Sequence, residues 1–419
     1  MVETVLGVLK IIKPSVVVGL DVGTCEVKAA LGVINHQQEV HVLGMARIPS
    51  AGLRKGNIID IESTSRSIDN CLNELERLTG REILSTVTGF SSISIAAVNN
   101  RAVIAVGNPD NVVAAEDKER VLSSATNISL TPDKTIVQVI ERQYIIDGYD
   151  GVRDPVGMVG NRLEAEALVI YAAAAAIQNL QRSAQRINLS IEQTVYNQLL
   201  IAESVLLPAE KEMGVVLIDM GAGTTEISIF SQGTIRSTAV LPIGGDYITK
   251  DLAIVLRTSI EEGTRIKEQF GLASPELASD EVMIEIHNIQ GNETKQVPQK
   301  LVAEIISARV LEMMEMIYTE LQQSGDLNKL AGGIVFTGGG AQLQGIVALM
   351  EDYMDVPVRL GRPDTIKGLS SEFNQPQNSV ALGGLICGLR HMDPELLQNQ
   401  SGVSGILDRI NYWLKDLFS

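Results

Sequence analysis

VVLIDMGAGTTEISI, residues 215–229, decides how this chain is read. An apolar run of strand length, Val215–Ile218, is stopped by Asp219. A bend of small residues follows, Gly221-Ala222-Gly223-Thr224-Thr225, and a second apolar run, Ile227 to Phe230, leaves it. The pattern predicts a β-hairpin with a glycine-rich bend and a carboxylate at its edge. Glycines let backbone N–H groups approach and converge on an anion. A carboxylate cannot bind phosphate directly, so it implies Mg2+ or ordered water beside one.

VVVGLDVGTCEVKAAL, residues 16–31, has the same grammar: a strand ending in Asp21, a bend at Gly23-Thr24, and a second strand over Val27–Leu31. Two such hairpins about two hundred residues apart imply homologous halves facing one ligand. A third glycine stretch, GIVFTGGGA at 333–341, predicts a strand, a glycine bend and a helix starting at Gln342.

Composition narrows the class. The chain has 419 residues, enough for two or more domains. Its net charge of −17 argues against free nucleic acid as a partner. Three scattered cysteines without a CxxC and only four histidines argue against a zinc site or a disulfide scaffold, and suit a reducing cytosol. No stretch of 18 uncharged apolar residues exists to span a bilayer. Residues 1–13, MVETVLGVLKIIK, lack a cleavage pattern and read as a surface helix rather than a signal peptide.

These motifs resemble those of the actin, sugar-kinase and Hsp70 ATPase superfamily and, within it, the FtsA family of bacterial cell-division proteins. The resemblance is carried by GLDVGTCEVKAAL at 19–31, RKGNIIDIE at 54–62 and DGYDGVRDPVGMVGNRLEAEALVI at 147–170. AESVLLPAEKEMGVVLIDMGAGTTEISIF at 202–230, LPIGGDYITKDLAI at 241–254 and GGIVFTGGGAQLQGI at 332–346 extend it. It implies an α/β, actin-like two-lobed ATPase fold built from duplicated ribonuclease-H-like domains, with an inserted 1C subdomain and a C-terminal amphipathic helix. Domain 1A would comprise residues 14–90, 165–207 and 362–391, with 1C at 91–164. Domain 2A would comprise 208–250 and 301–361, subdomain 2B 251–300, a linker 392–404 and the terminal helix 405–419.

Periodicity supplies the elements. Helices are expected at Ser63–Leu78, Ala114–Leu122, Ile177–Arg186, Glu261–Phe270 and Leu301–Gln323. Strands are expected at Glu39–Met45, Ser91–Ala97, Ala102–Val106, Lys134–Ile146 and Val282–Ile289. The resemblance implies that Ile191–Leu207 is the first connecting helix, bridging the halves and stopped by Pro208, and that Asn378–Leu389, with Gly383-Gly384 among apolar residues, is the second.

The resemblance assigns the site. Asp21 and Asp219 would hold Mg2+, partly through water, against the phosphates of ATP. Gly23, Thr24 and Cys25 would offer N–H groups to one phosphate, and Gly221, Ala222, Gly223 and Thr224 to another. Lys28, seven residues after Asp21, stands where actin keeps a phosphate lysine. Gly244 and Gly245 would border the phosphates, Gly338, Gly339 and Gly340 the nucleoside, and Glu262, Arg265 and Lys267 would close over it. Asn197 occupies the place of the family's water-orienting glutamate or glutamine; its shorter side chain implies slow or absent turnover.

The end of the chain, GILDRINYWLKDLFS, places Ile406, Leu407, Ile410, Trp413, Leu414, Leu417 and Phe418 on one helical face. Its charges cancel, so membrane binding would come from apolar burial, roughly 10–20 kcal/mol before ordering costs. The expected function is an ATP-binding filament protein on the cytoplasmic face of the membrane at the division septum. The family's partners are a second copy of the chain, the FtsZ C-terminal peptide on 2B, the lipid surface, and later divisome proteins through 1C. The alternatives are a sugar or acyl kinase, for which Glu226 is the one candidate carboxylate, and a pilus-assembly-type actin-like adaptor.

Overall fold

Both predicted hairpins form, and each opens a sheet of the same design. The computed structural model describes residues 16–34, 39–107, 109–324 and 330–392. The expectations for residues 1–13, the linker and the terminal helix lie outside them.

Lobe I starts with β1 (Val16–Val22), β2 (Glu26–Ile34) and β3 (Val40–Pro49), paired antiparallel in sequence. A short hairpin, β4 (Leu53–Arg54) and β5 (Asn57–Ile58), leads to α1 (Ile61–Thr79). Asp60 caps α1 by accepting the N–H groups of Glu62 and Ser63, and Gly80 ends it in the left-handed conformation. β6 (Ser85–Phe90) then pairs parallel to β1.

The chain leaves for an inserted unit made of β7 (Ala96–Ala105), α2 (Ala115–Thr126), β8 (Lys134–Ile146), β9 (Tyr149–Val152) and β10 (Arg162–Ala173). Its antiparallel sheet, in the order β7-β10-β8-β9, has a core of its own around Val121, Val139, Tyr144 and Leu163. The strand expected at Ser91–Ala97 is instead a turn followed by the start of β7, because Ser92 and Ser94 bond each other and local backbone rather than a ladder. β10 runs through residue 164, so the expected 1C boundary falls inside a strand.

Lobe I resumes with α3 (Ala174–Gln185), β11 (Ser190–Tyr196) and α4 (Asn197–Val205). The single bridging helix expected over Ile191–Leu207 is therefore a strand running directly into a helix. β-branched and aromatic residues, Ile191, Thr194, Val195 and Tyr196, pair parallel to β6 and complete the order β11-β6-β1-β2-β3.

Lobe II repeats the plan. After α5 (Pro208–Met213), β12 (Val215–Met220), β13 (Thr225–Ser231) and β14 (Thr234–Leu241) form the antiparallel meander. Next come α6 (Gly245–Leu256), α7 (Ile260–Phe270), the hairpin β15 (Met283–His287) and β16 (Thr294–Pro298), and α8 (Gln299–Ser324). β17 (Ile334–Thr337), α9 (Ile346–Met354) and β18 (Val358–Leu360) finish the sheet in the order β14-β13-β12-β17-β18. Strand for strand, this matches lobe I. The helix expected from Gln342 begins only at Ile346: the triple glycine makes a single 3-10 turn, and Gly345, left-handed, separates it from α9.

α10 (Ser379–Met392) returns to lobe I and packs on β1 and α4. It comes very close: a Cβ on Gly384 would stand 3.1 Å from the Cα of Gly19, and one on Gly383 2.0 Å from the Leu200 carbonyl oxygen. Side chains of α4, α10, β12 and β17, among them Leu200, Leu385, Leu217 and Val335, share one core beneath both sheets. The same junction holds a buried charge cluster. Glu203 on α4 pairs with Lys211 of α5 at 2.8 Å and with Arg390 of α10. The inserted unit also touches the far lobe: Arg153 makes a bidentate contact with Glu212, and Asn99 donates to the Arg236 carbonyl.

Burial would raise the Glu203 pKa, but Lys211 and Arg390 more than offset it and hold the carboxyl at about 2. A depressed folded pKa means that its stabilisation is present above the unfolded value and lost as pH falls from about 4.5 to about 2. Glu203→Gln should cost ~3 kcal/mol at neutral pH, read by urea unfolding, and the deficit should vanish near pH 2.

Candidate functional site

The two hairpins meet tip to tip at the floor of a cleft of about 670 Å3, within the size range of small-molecule sites. Register makes them equivalent: Asp21 faces Lys28 across β1–β2, and Asp219 faces Glu226 across β12–β13. Both bends close in the same way, with the Gly23 N–H donating to the Glu26 carbonyl at 3.1 Å and the Gly221 N–H to the Thr224 carbonyl at 2.9 Å. Those two amides are consumed by the turns, which corrects the expectation that Gly23 and Gly221 present N–H groups to a ligand. Thr24, Cys25, Ala222, Gly223 and Thr224 line the cleft at the bends themselves.

Gly244 and Gly245 play a different part from the one expected. The N–H groups of Gly245 and Asp246 donate to the carbonyls of Gly221 and Ala222, both at 2.9 Å. The start of α6 thus buttresses the second bend, and of the two glycines only Gly245 lines the cleft. The triple glycine does reach it: Gly338, Gly339 and Gly340 form its lobe II wall. Gly338 sits at φ +88°, and a Cβ there would lie 2.2 Å from Asp219 Oδ1.

α7 contributes less than expected. Lys267 lines the cleft and donates to the Gly245 carbonyl at 3.4 Å. Glu262 and Arg265 do not. They pair with each other at 2.7 Å, Arg265 donates to the Glu285 carbonyl, and Glu262 accepts the His287 N–H. One helical turn apart, they share the face that pins α7 to β15, while Lys267 lies on another.

The floor is crowded with like charge. Burial, then the charge of the nearby Asp21 carboxylate, raises the Asp219 pKa to about 7 against the pull of Lys28. Burial, then the charge of Asp219, brings Glu226 to about 8. Burial also raises Asp21, although Lys28 Nζ lies 3.3 Å away. Burial alone would lower the Lys28 pKa, yet Asp21 and Glu26 outweigh it and raise it. Glu226 Oε2 and Asn197 Oδ1 are both buried without a hydrogen-bond partner. Three carboxylates against one lysine call for a cation.

Among the described residues, no group of three or more His, Cys, Asp or Glu is placed to hold a metal ion. That suits Mg2+, which keeps several waters and takes one or two carboxylates plus phosphate oxygens. Asp21 and Asp219 fit this donor set. Sequence reasoning placed Glu226 in the cleft only as a kinase carboxylate and missed Arg47, Ser91, Gln342, Gln344 and Gln377 on its walls. The seven-residue step from Asp21 to Lys28, applied to Asp219, gives Glu226; nothing local marks the others.

Comparison with known proteins agrees with this geometry. The model for the cell division protein FtsA matches residues 216–383, and that for the SHS2 domain inserted in FtsA matches residues 93–171. The chain is 35% identical to the cell division protein FtsA of Pseudomonas aeruginosa, covering 96% of this chain and 98% of that one. With FtsA of Bacillus subtilis the identity is 36%, over 83% and 79% of the two chains. Among solved structures, a PilM-PilN type IV pilus biogenesis complex is similar with a TM-score of 0.64 at 16% identity, covering 89% of this chain and 98% of that one. MreB5 of Spiroplasma citri bound to ADP gives 0.54 at 13% identity, covering 92% and 99%. These two share the fold.

A raised folded pKa means that Glu226 binds its proton more tightly in the fold, so it costs stability increasingly as pH rises from about 4.5 to about 8. Glu226→Gln should raise the melting temperature of the ligand-free protein by several degrees at pH 8 and by much less at pH 5.

Proposed function

Because the chain belongs to the FtsA family of bacterial cell-division proteins, we propose that it binds ATP with Mg2+ between its lobes and assembles head-to-tail on the membrane. There it tethers the FtsZ ring and recruits later divisome proteins. The observation that carries this reading is the meeting of Asp21 and Asp219, at equivalent places on equivalent hairpins, in one cleft.

Asp21 and Asp219 would hold the Mg2+ through water, which neutralises the triphosphate and relieves the repulsion at the floor. Lys28 lies beside Asp21, placed for a phosphate oxygen. The bend residues Thr24, Cys25, Ala222, Gly223 and Thr224 supply backbone N–H groups, and the Gly338–Gly340 wall admits the nucleoside. Asn197 reaches the cleft from the start of α4. Its short amide orients a water poorly, so turnover is slow.

Assembly on the membrane uses surfaces away from the cleft. Head-to-tail contacts are heterologous and give open filaments. Subdomain 2B, around α6, α7 and the β15–β16 hairpin, exposes Ile254, Val255, Met283 and Ile289, an apolar surface for the FtsZ peptide. No helix among the described residues is long and apolar enough to cross a membrane. The anchor is the amphipathic segment 405–419, which folds on contact with lipid and holds cooperatively when many copies act together.

Electron microscopy on a lipid monolayer tests the whole reading. With ATP and Mg2+, the full chain should form filaments, whereas a chain ending at Ser404 should leave the lipid bare and Asp219→Asn should bind nucleotide at least ~10-fold more weakly. Trp413 emission should shift to the blue with liposomes. Filaments formed equally by Asp219→Asn with no nucleotide bound, or lipid binding by the truncated chain, would refute it.

A further inference from the structure

The RKGN stretch at residues 54–57 forms the tip of the β4–β5 hairpin, and Lys55 and Gly56 are its only turn residues. Both have left-handed backbones, with φ of +50° and +73°. A two-residue turn of this kind prefers Asn, Asp or Gly at both places. Lysine there costs conformational energy that the turn itself does not require.

The tip bridges the two phosphate bends. It is rooted in lobe I, where Asn57 Oδ1 accepts the Ser92 hydroxyl at 2.7 Å and the Gly56 N–H donates to Thr24 Oγ1 at 3.1 Å. It then crosses to lobe II. A Cβ on Gly223 would stand 3.0 Å from the Lys55 Cα and 3.1 Å from its nitrogen. Glycine at 223 thus lets the Lys55 backbone lie directly on the second bend.

The charge at this tip is uncompensated. Lys55 Nζ rests 5.3 Å from the centre of the Tyr247 ring in lobe II, and Lys250 and Arg309 crowd the same ring at 5.2 and 5.6 Å. Arg309 is balanced by Asp251 and Glu312. Lys55 and Lys250 make no ion pair among the described residues, in a chain of net charge −17. A partly exposed cation–π contact contributes only ~0.5–1 kcal/mol, too little to hold Lys55 against a nearby anion.

We propose that Lys55 is a nucleotide-binding residue whose ammonium group crosses the cleft to the terminal phosphate of a nucleoside triphosphate. It thereby distinguishes triphosphate from diphosphate and draws the lobes together. This rests on the reading of the cleft as a nucleotide site.

Titration of the full-length protein with fluorescent ATP and ADP analogues in Mg2+ tests it. The wild type should favour the triphosphate. Lys55→Asn suits the left-handed turn, so its melting temperature should be at least that of the wild type. It should lose roughly ten- to a hundredfold in ATP affinity, the worth of one charge-assisted hydrogen bond, with little change for ADP. Lys55→Arg should keep the preference. A wild type indifferent to the third phosphate, or a Lys55→Asn protein with the wild-type ratio, would overturn the lysine's role and leave the cleft reading standing. A wild type that binds neither analogue would overturn both.

Discussion

Buried like charge at the junction of two sheets is the constraint around which this molecule is arranged. Asp21 and Asp219 end strands that sit centrally in their sheets, so neither can turn away to solvent without unpairing a ladder. Glu226 adds a third carboxylate from the neighbouring strand. Lys28 answers one of them, and the other two have no ion-pair partner among the described residues. Such an arrangement is costly unless a cation and its ligands complete it. The duplication explains how it arose structurally: one hairpin design, used twice and turned face to face, must bring its two acidic edges together. Opposite each aspartate the halves differ in charge, Lys28 in one and Glu226 in the other, so the cleft has a cationic side and an anionic side.

The cleft stays a cleft because its base is fixed. α4 and α10 cross beneath both sheets with glycine-thin contacts, and the buried Glu203, Lys211 and Arg390 cluster locks α4, α5 and α10 together. A buried pair of this type does not add much net stability over an apolar core, but breaking it leaves stranded charges. It therefore specifies how the helices cross. Lobe II, above it, has a separate core around Phe336, Met313 and Met314 and can be treated as a body.

Much of this was legible in the residues. Apolar runs stopped by aspartate and followed by small residues found both hairpins, helical spacing found α1, α7 and α8 to within two residues, and the resemblance found α10 to within three. What failed did so for identifiable reasons. Residues 191–207 change character midway, with β-branched and aromatic Ile191, Thr194, Val195 and Tyr196 giving way to Leu199, Leu200 and Ala202, and one connecting helix drawn through all of them overlooks that change. Ser92 and Ser94 use their hydroxyls on each other, on Asn57 and on the Ala173 N–H, contacts that no periodicity reveals. Gly23 and Gly221 are expected to present N–H groups to a ligand, but both amides donate within their own turns, and the Gly245 amide, at the cleft border as expected, donates to the Gly221 carbonyl. Glu262 and Arg265 could be placed on a helix, but which way that helix faced depended on β15, a strand distant in sequence. Family membership was legible throughout because the motifs that carry it lie where backbone geometry restricts the choice of residue.

The inserted unit ties onto lobe I through strands at both its ends, and it also leans on lobe II along β14, where Val137, Ile140, Leu168 and Ile170 share a core with Phe230 and Ile235. Arg153 with Glu212 adds a surface pair at the margin of that contact. Exposed pairs of that kind contribute little and trade readily with water, so the apolar seam is what holds. The inserted unit is thus a strut laid across both jaws rather than a passenger on one. Opening the mouth must work against that seam, and whatever grips the outer face of the strut bears on the cleft without entering it.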